Sequence, residues 1–150
     1  MKKLLKASLV MMMVFCLLMV EAQERQMNAE ETERLLIEYA QEKTQSCPVE
    51  EKKEVCLIMM GYEDHRMDIV YGVDHENYEM GKNNRNLSKT NYMEEMKKDK
   101  RGTATLLPIA DLSLALIFLD RSLGDDALNK PLTIGFSEDE LKEILQNPVK

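Results

Sequence analysis

The sequence contains little of what usually marks a catalytic or metal-binding site. It has two histidines and three cysteines in 150 residues. It also has no glycine-rich phosphate loop, no Gly-x-Ser-x-Gly elbow and no His-Glu-x-x-His pair. These absences exclude the sites of P-loop enzymes, of serine hydrolases of the α/β type and of zinc proteases of the zincin type. No set of residues predicts a cofactor or a metal, and the sequence assigns none.

Positive charge is also scarce. Lys and Arg number 20 against 27 Asp and Glu, so the formal net charge is -7. Because nucleic-acid binding depends on neutralising phosphates with Lys and Arg, this composition argues against nucleic acid as a partner. It argues equally against an anionic membrane surface. The acidic balance mainly indicates solubility.

The longest apolar run lies at the N-terminus, where it has the pattern of a signal peptide. A lysine-rich start precedes the apolar run Ala7–Val20, and Ala22 provides a small residue before a cleavage site. The run has about 14 residues, fewer than the roughly 20 that span a bilayer. We therefore expect residues 1–22 to be cleaved and residues 23–150 to form one exported domain, periplasmic or secreted, with no stable membrane insertion. An uncleaved anchor is the alternative.

Two cysteines, Cys47 and Cys56, remain after removal of the signal peptide. Export places them in a compartment that permits disulfides. A bond between them would close a loop of about ten residues and restrict the unfolded chain. The sequence predicts this disulfide, and two buried thiols are the alternative. Metal binding by the same segment would need more ligands than it offers.

Local patterns predict three helices. Asn28 with Glu31 forms a capping box before a helix from about Ala29 to Gln45, and Cys47-Pro48 ends that helix. A second helix is expected over about Ser88 to Arg101. Ser137 with Glu140 forms another capping box, which predicts a final helix over about Glu138 to Gln146.

Four apolar segments predict strands: Val55 to Tyr62, Arg66 to Asp74, Ser113 to Arg121, and Leu132 to Phe136. The second alternates well, so its odd-numbered positions 67–73 should face the core. Ser113 to Arg121 is apolar on both faces and would also suit a buried helix. Polar stretches at about 50–54, 79–86 and 123–130 are expected to be loops.

These elements predict an α+β fold with the order α-β-β-α-β-β-α. The expected architecture is a four-stranded, mainly antiparallel sheet with helices largely on one face. The same order of features resembles a group of small secreted proteins of uncharacterised function from gut bacteria. The matching segments are Cys47-Pro48, Ile69–Asp74, Ala115–Leu119, Ile134–Phe136 and Glu140–Lys142. The resemblance implies the fold and the exported location, and it implies no activity.

Each histidine follows an aspartate, in Asp64-His65 and Asp74-His75. A repeated Asp-His pair suggests metal binding or acid–base chemistry. A strand of ten residues, however, spans roughly 33 Å, so the two pairs should lie at opposite ends of one strand. We expect two separate loop histidines, with acid–base use of one of them still open. Asp120, Asp125 and Asp126 could in principle line a calcium site, but their spacing fits no calcium-loop pattern.

The adjacent residues Met59 and Met60 must point to opposite faces of their strand. One of them could therefore join Tyr62 and Val70 in an apolar patch on the outer face of the sheet, which is the binding surface that the sequence suggests. The favoured function is an exported noncatalytic module that binds a protein, a peptide or a small ligand, as an accessory or inhibitory factor. The alternative is a hydrolase-like enzyme that uses a single His with nearby carboxylates. The sequence leaves the oligomeric state open.

Overall fold

The computed structural model describes residues 28–52, 55–98, 109 and 111–146. The predicted signal peptide and its cleavage point lie outside these residues. The elements are, in chain order, α1 Ala29–Ser46, β1 Val49–Lys52, β2 Val55–Glu63, β3 Arg66–Val73, α2 His75–Asn83, α3 Arg85–Lys98, β4 Ser113–Asp120, a 3₁₀ segment Arg121–Asn129, β5 Leu132–Phe136 and α4 Glu138–Gln146.

The strands form a single sheet in the order β1-β2-β3-β4-β5. Three of the four neighbouring pairs are antiparallel, and β3 with β4 is parallel. β3 and β4 are parallel because the chain between them, which includes α2 and α3, returns to the end of the sheet where β3 starts. The predicted α+β class and the mainly antiparallel sheet are confirmed. The four predicted strands form the body of the sheet, and β1 adds a short strand at its edge.

The four helices of the described ranges pack on one face of the sheet. The core of that face contains side chains from each helix, including Leu36 of α1, Tyr78 of α2, Tyr92 of α3 and Ile144 of α4. The odd-numbered positions 67–73 of β3 lie in the same core, as their alternation predicts. The opposite face of the sheet therefore carries no α-helix among the described residues.

Both predicted capping boxes are present. The amide of Glu31 donates to the side chain of Asn28, and the amide of Asn28 donates to the Glu31 carboxylate. At α4, the amide of Ser137 donates to Glu140, and the amide of Glu140 donates to the Ser137 hydroxyl. These local signals place the starts of α1 and α4 correctly because they depend on residues only three apart.

Three stretches that the sequence predicts as loops are regular in the structure. The charged connector contributes β1, which pairs antiparallel with the start of β2. The stretch at 79–86 contains the end of α2, a break at Asn84 and the start of α3, and Asp74 caps α2 by accepting from the Asn77 amide. The stretch at 123–130 belongs to the 3₁₀ segment, which is kinked at Gly124, where φ is 56°. The turn between β2 and β3 is a two-residue turn, with positive φ at both Asp64 and His65.

Where β1 ends, the last turn of α1 hydrogen-bonds to the outer backbone groups of β2. The Thr44 hydroxyl donates to the Met60 carbonyl at 2.7 Å and accepts from the Met60 amide at 3.1 Å. The register of β1 reaches only Leu57, so Thr44 supplies the hydrogen bonds that a longer β1 would make.

Thr44→Val is expected to lower the free energy of unfolding by about 1 kcal/mol, because both backbone groups of Met60 lose their partner. Urea unfolding measures the change. Thr90→Val is the matched control, since the Thr90 hydroxyl bonds only to the Asn86 carbonyl of its own helix. Equal losses in the two variants would show that Thr44 does not hold the edge of β2.

Candidate functional site

The helix-free side of the sheet, which we call the open face, is built from two rows of side chains across β2 to β5. The first row, the ridge, consists of Met59, Val70, Ile117 and Thr133, which are direct neighbours in the strand register. The second row, the trough, consists of Gly61, Asp68, Ala115 and Gly135. Each row places one residue on each of four strands, so the two rows run side by side across the sheet.

The trough is lower than the ridge at Gly61, Ala115 and Gly135, where the side chain is a methyl group or absent, and Asp68 is its one larger residue. A methyl group added to Gly61 or Gly135 would find no atom within 4 Å. On the ridge, the Met59 side chain is 43% exposed. The open face thus presents an apolar ridge beside a shallow trough, a shape that admits the side chains of a partner.

The 3₁₀ segment covers one end of the open face. Its Leu123 and Ala127 pack with Val70, Ile117 and Leu119 in a small second core. The segment covers the part of the open face near Leu119, at the end of β4. It therefore covers Val70 and part of Ile117 on the ridge, and Met59 remains exposed.

Charge is sparse within the ridge and the trough although the chain is strongly acidic. Asp68 lies in the trough, and the Arg66 guanidinium binds its carboxylate at 2.8 Å. No other residue of the two rows carries a charge. The next row of the same face carries the exposed residues Glu63 and Arg66. The ridge and the trough are thus a largely apolar area on a chain of net charge -7, the kind of surface that contacts another molecule.

The structure divides the predicted patch between the two faces. Met59 and Val70 are adjacent on the ridge, although Val70 is largely buried. Met60 and Tyr62 lie on the helix side, where Met60 is in the core and Tyr62 packs against it. A register shift between Leu57 and Met59 sets this arrangement. Ile117 and Thr133 were missed as partners of Met59, because strand pairing across the sheet is not visible in local periodicity.

The structure does not contain the predicted disulfide between Cys47 and Cys56. Both are present as thiols, and no pair of cysteines in the described ranges lies at bonding distance. Cys47 packs against the core of the helix side. Cys56 lies between the core residues Val55 and Leu57, so strand alternation directs it to the opposite face. The sheet therefore separates the two sulfur atoms.

A histidine–aspartate pair joins the carboxyl ends of the parallel strands β3 and β4. His75 is the first residue of α2, and its Nδ1 lies 2.6 Å from Oδ2 of Asp120. Asp120 ends β4 and is 1% exposed, whereas the His75 side chain is 64% exposed. The Ser122 amide and hydroxyl also donate to Asp120, at 2.9 and 2.6 Å. Asp120 is thus a buried carboxylate with three hydrogen-bonding contacts, and His75 presents its other edge to solvent.

The pair shifts the pKa values of both groups. The hydrogen bond to Asp120, followed by its negative charge, raises the pKa of His75 above 6.5, and nearby Glu79 and Lys82 act in opposite directions. Burial acts to raise the pKa of Asp120, but the bonds from His75 and Ser122 outweigh it and hold that pKa below 3.8. Between the ordinary pKa values of the two groups, 3.8 and 6.5, the pair is therefore favoured in its charged form.

The other histidine belongs to a separate cluster, as predicted. His65 Nε2 lies 3.3 Å from the Glu33 carboxylate of α1, which also accepts from the Tyr62 hydroxyl at 2.7 Å. Burial, followed by the bond to Glu33, raises the pKa of Tyr62. This cluster ties α1 to the β2–β3 turn. The expectation of two loop histidines is corrected for His75, which starts a helix.

The carboxylates considered for calcium are not gathered into one site. Asp120 is engaged by His75 and Ser122, while Asp125 and Asp126 are exposed on the 3₁₀ segment. Within the described part of the chain, no group of three or more His, Cys, Asp or Glu side chains is placed to hold a metal ion.

Comparisons with known proteins support the fold. No protein-family model matches the chain, and no curated protein sequence matches it. A crystal structure of a presumed secreted protein from Pseudomonas aeruginosa superimposes with a TM-score of 0.54 at 13% sequence identity, covering 78% of this chain and 98% of that one. Such a likeness shows a shared fold. In the described ranges, no helix combines the length and the apolar character needed to cross a bilayer.

Proposed function

We propose that the protein is an exported, noncatalytic binding module that contacts a protein or peptide partner through the open face. The observation that carries this proposal is the ridge. It places the exposed side chain of Met59 in register with Val70, Ile117 and Thr133, beside a trough floored by glycine and alanine. Methionine adapts its shape to a partner more readily than branched side chains do.

Export is supported by two independent observations. The N-terminal sequence has the lysine-rich start and the short apolar run of a signal peptide. The structurally similar Pseudomonas protein is described as a presumed secreted protein. An exported acidic domain with a largely apolar area on its sheet has a surface suited to association with another macromolecule outside the cytoplasm.

Capture of a partner from native culture fluid or envelope extract tests the proposal. Immobilised wild-type protein should retain a partner that Met59→Glu loses, because a carboxylate on the ridge would have to be desolvated on binding. The matched control is Leu87→Glu, which puts the same charge on an apolar side chain that is 48% exposed on α3, in the helix layer. Circular dichroism verifies that both variants fold. Equal capture by the two variants would contradict the open face as the binding surface.

A second candidate function rests on the His75–Asp120 pair. A carboxylate that fixes Nδ1 and leaves Nε2 toward solvent is the arrangement of a general base that accepts a proton from water or a hydroxyl. If the protein is a hydrolase-like enzyme of this type, His75→Gln should abolish its hydrolytic activity and His65→Gln should retain it. This candidate ranks second because the imidazole is largely exposed and hydrogen-bonds to one carboxylate.

A further inference from the structure

We propose that β5 is a dimerisation edge, at which a second copy of this chain adds its own β5 antiparallel and joins the two sheets into one. This inference goes beyond the binding function of the open face and rests on the backbone groups at the edge of the sheet. It stands on the contrast between the two edges of the sheet and on the placement of charges around β5.

The edge at β1 is protected against strand addition. Its sequence, Val49-Glu50-Glu51-Lys52, is three-quarters charged, and its register with β2 is irregular. Beyond β1, the Thr44 hydroxyl occupies the backbone groups of Met60 on β2. Charge, irregular pairing and side-chain cover are the means by which proteins prevent pairing between edges.

Within the strand itself, the edge at β5 has none of these protections, and Lys130 and Pro131 directly precede it. The strand Leu132–Phe136 carries no charge and no proline, its register with β4 is regular, and it pairs with β4 alone. Leu132, Ile134 and Phe136 are buried, so the core holds the strand in place. An edge strand directs alternate amide and carbonyl groups away from its sheet, and β5 therefore offers an ordered template for a further strand.

The charged residues that flank β5 favour a second copy of this chain as the partner strand. A two-fold axis through Ile134 would pair each β5 residue with a residue of the other copy. A residue n positions before Ile134 would lie opposite the residue n positions after it. Lys130 and Glu138 flank the two ends of β5, so this arrangement brings Lys130 of each copy near Glu138 of the other, and both side chains are exposed. In the same register Thr133 faces Gly135, so small side chains meet on the open face. This self-complementarity favours a second copy over an unrelated strand.

The expected dimer is weak. One five-residue strand pair and its flanks fall at the small end of specific interfaces. Sedimentation velocity of the mature protein over a concentration series should therefore show a monomer–dimer equilibrium. A wild-type protein that stays monomeric at every concentration would overturn the proposal and leave the edge to another partner.

Charge reversal tests the β5 register directly. Lys130→Glu and Glu138→Lys should each weaken the dimer about tenfold, because both ion pairs become repulsive. An equimolar mixture of the two variants should dimerise again, since each variant then meets its complement. Asp139→Lys is the matched control: it changes the charge in the same first turn of α4 but faces Asn129, and it should not weaken the dimer.

Two outcomes would overturn the β5 interface even if a dimer exists. Dimerisation that is unchanged in Lys130→Glu and Glu138→Lys would place the interface elsewhere. Failure of the mixed variants to recover dimerisation, with both variants folded, would contradict the antiparallel register. Met59→Glu should dimerise as wild type does, which separates this test from that of the open face.

Discussion

Leu116→Ala is expected to lower the free energy of unfolding by about 3 kcal/mol. Leu116 lies in β4, between β3 and β5, and is 0% exposed in the core of the helix side. Removal of its branched side chain leaves a cavity that the surrounding helices and strands fill only partly. Urea unfolding monitored by circular dichroism gives the change.

The next residue on the same strand provides the control. Ile117 points to the open face and is only partly buried, so Ile117→Ala should cost about 1 kcal/mol. The two variants remove similar side chains from adjacent positions, and they differ chiefly in the face of the sheet. Equal losses would mean that both faces are buried to the same extent, which would remove the basis for an exposed binding surface.

Asp120→Ala is expected to cost about 2 kcal/mol at pH 6. The variant loses the cap of the 3₁₀ segment, where Asp120 accepts from Ser122, and also the bond to His75. Asp120→Asn should cost less, because an amide keeps the shape and one acceptor. It removes the carboxylate that pairs with His75, however, and thereby changes the dependence of stability on pH.

The direction of that pH dependence follows from the two pKa shifts. The folded state lowers the pKa of Asp120, so its contribution is present above 3.8 and is lost as pH falls through the lowered value. The folded state raises the pKa of His75, so its contribution is fully present below 6.5 and is lost as pH rises through the raised value. The pair should therefore stabilise the protein most between pH 3.8 and 6.5.

Urea titrations at a series of pH values measure this window. Wild type and His65→Gln should both lose stability as pH rises above 6.5, whereas Asp120→Asn should lose less over the same range. If Asp120→Asn declines as steeply as wild type, the His75–Asp120 pair is not the group that sets the alkaline side of the profile.

Most of the fold could be predicted because its signals are local. The alternation in β3 identified its core face, and the capping boxes at Asn28 and Ser137 marked the starts of two helices. The start of α2 was missed although Asp74 caps it by accepting from Asn77, since the polar sequence that follows indicated a loop. The short β1 was missed because its charges resemble those of a connector.

The candidate sites were harder to predict because they depend on contacts between distant residues. His75 and Asp120 are 45 positions apart, and they meet only because β3 and β4 are parallel and in register. The ridge has the same origin, since Met59 and Ile117 come from strands on either side of β3. The sequence predicted correctly that Met59 and Met60 point apart, but it could not tell which of them is exposed.

The central claim is that the open face binds a partner, and methyl NMR of the labelled mature protein tests it most directly. On addition of the partner fraction isolated from native culture fluid, the methyl signals of Met59 and Ile117 should shift or broaden. Those of Ile37 on α1 and Leu87 on α3, which are exposed on the helix side, should stay in place. Shifts confined to Ile37 and Leu87, with Met59 and Ile117 unchanged, would contradict the account.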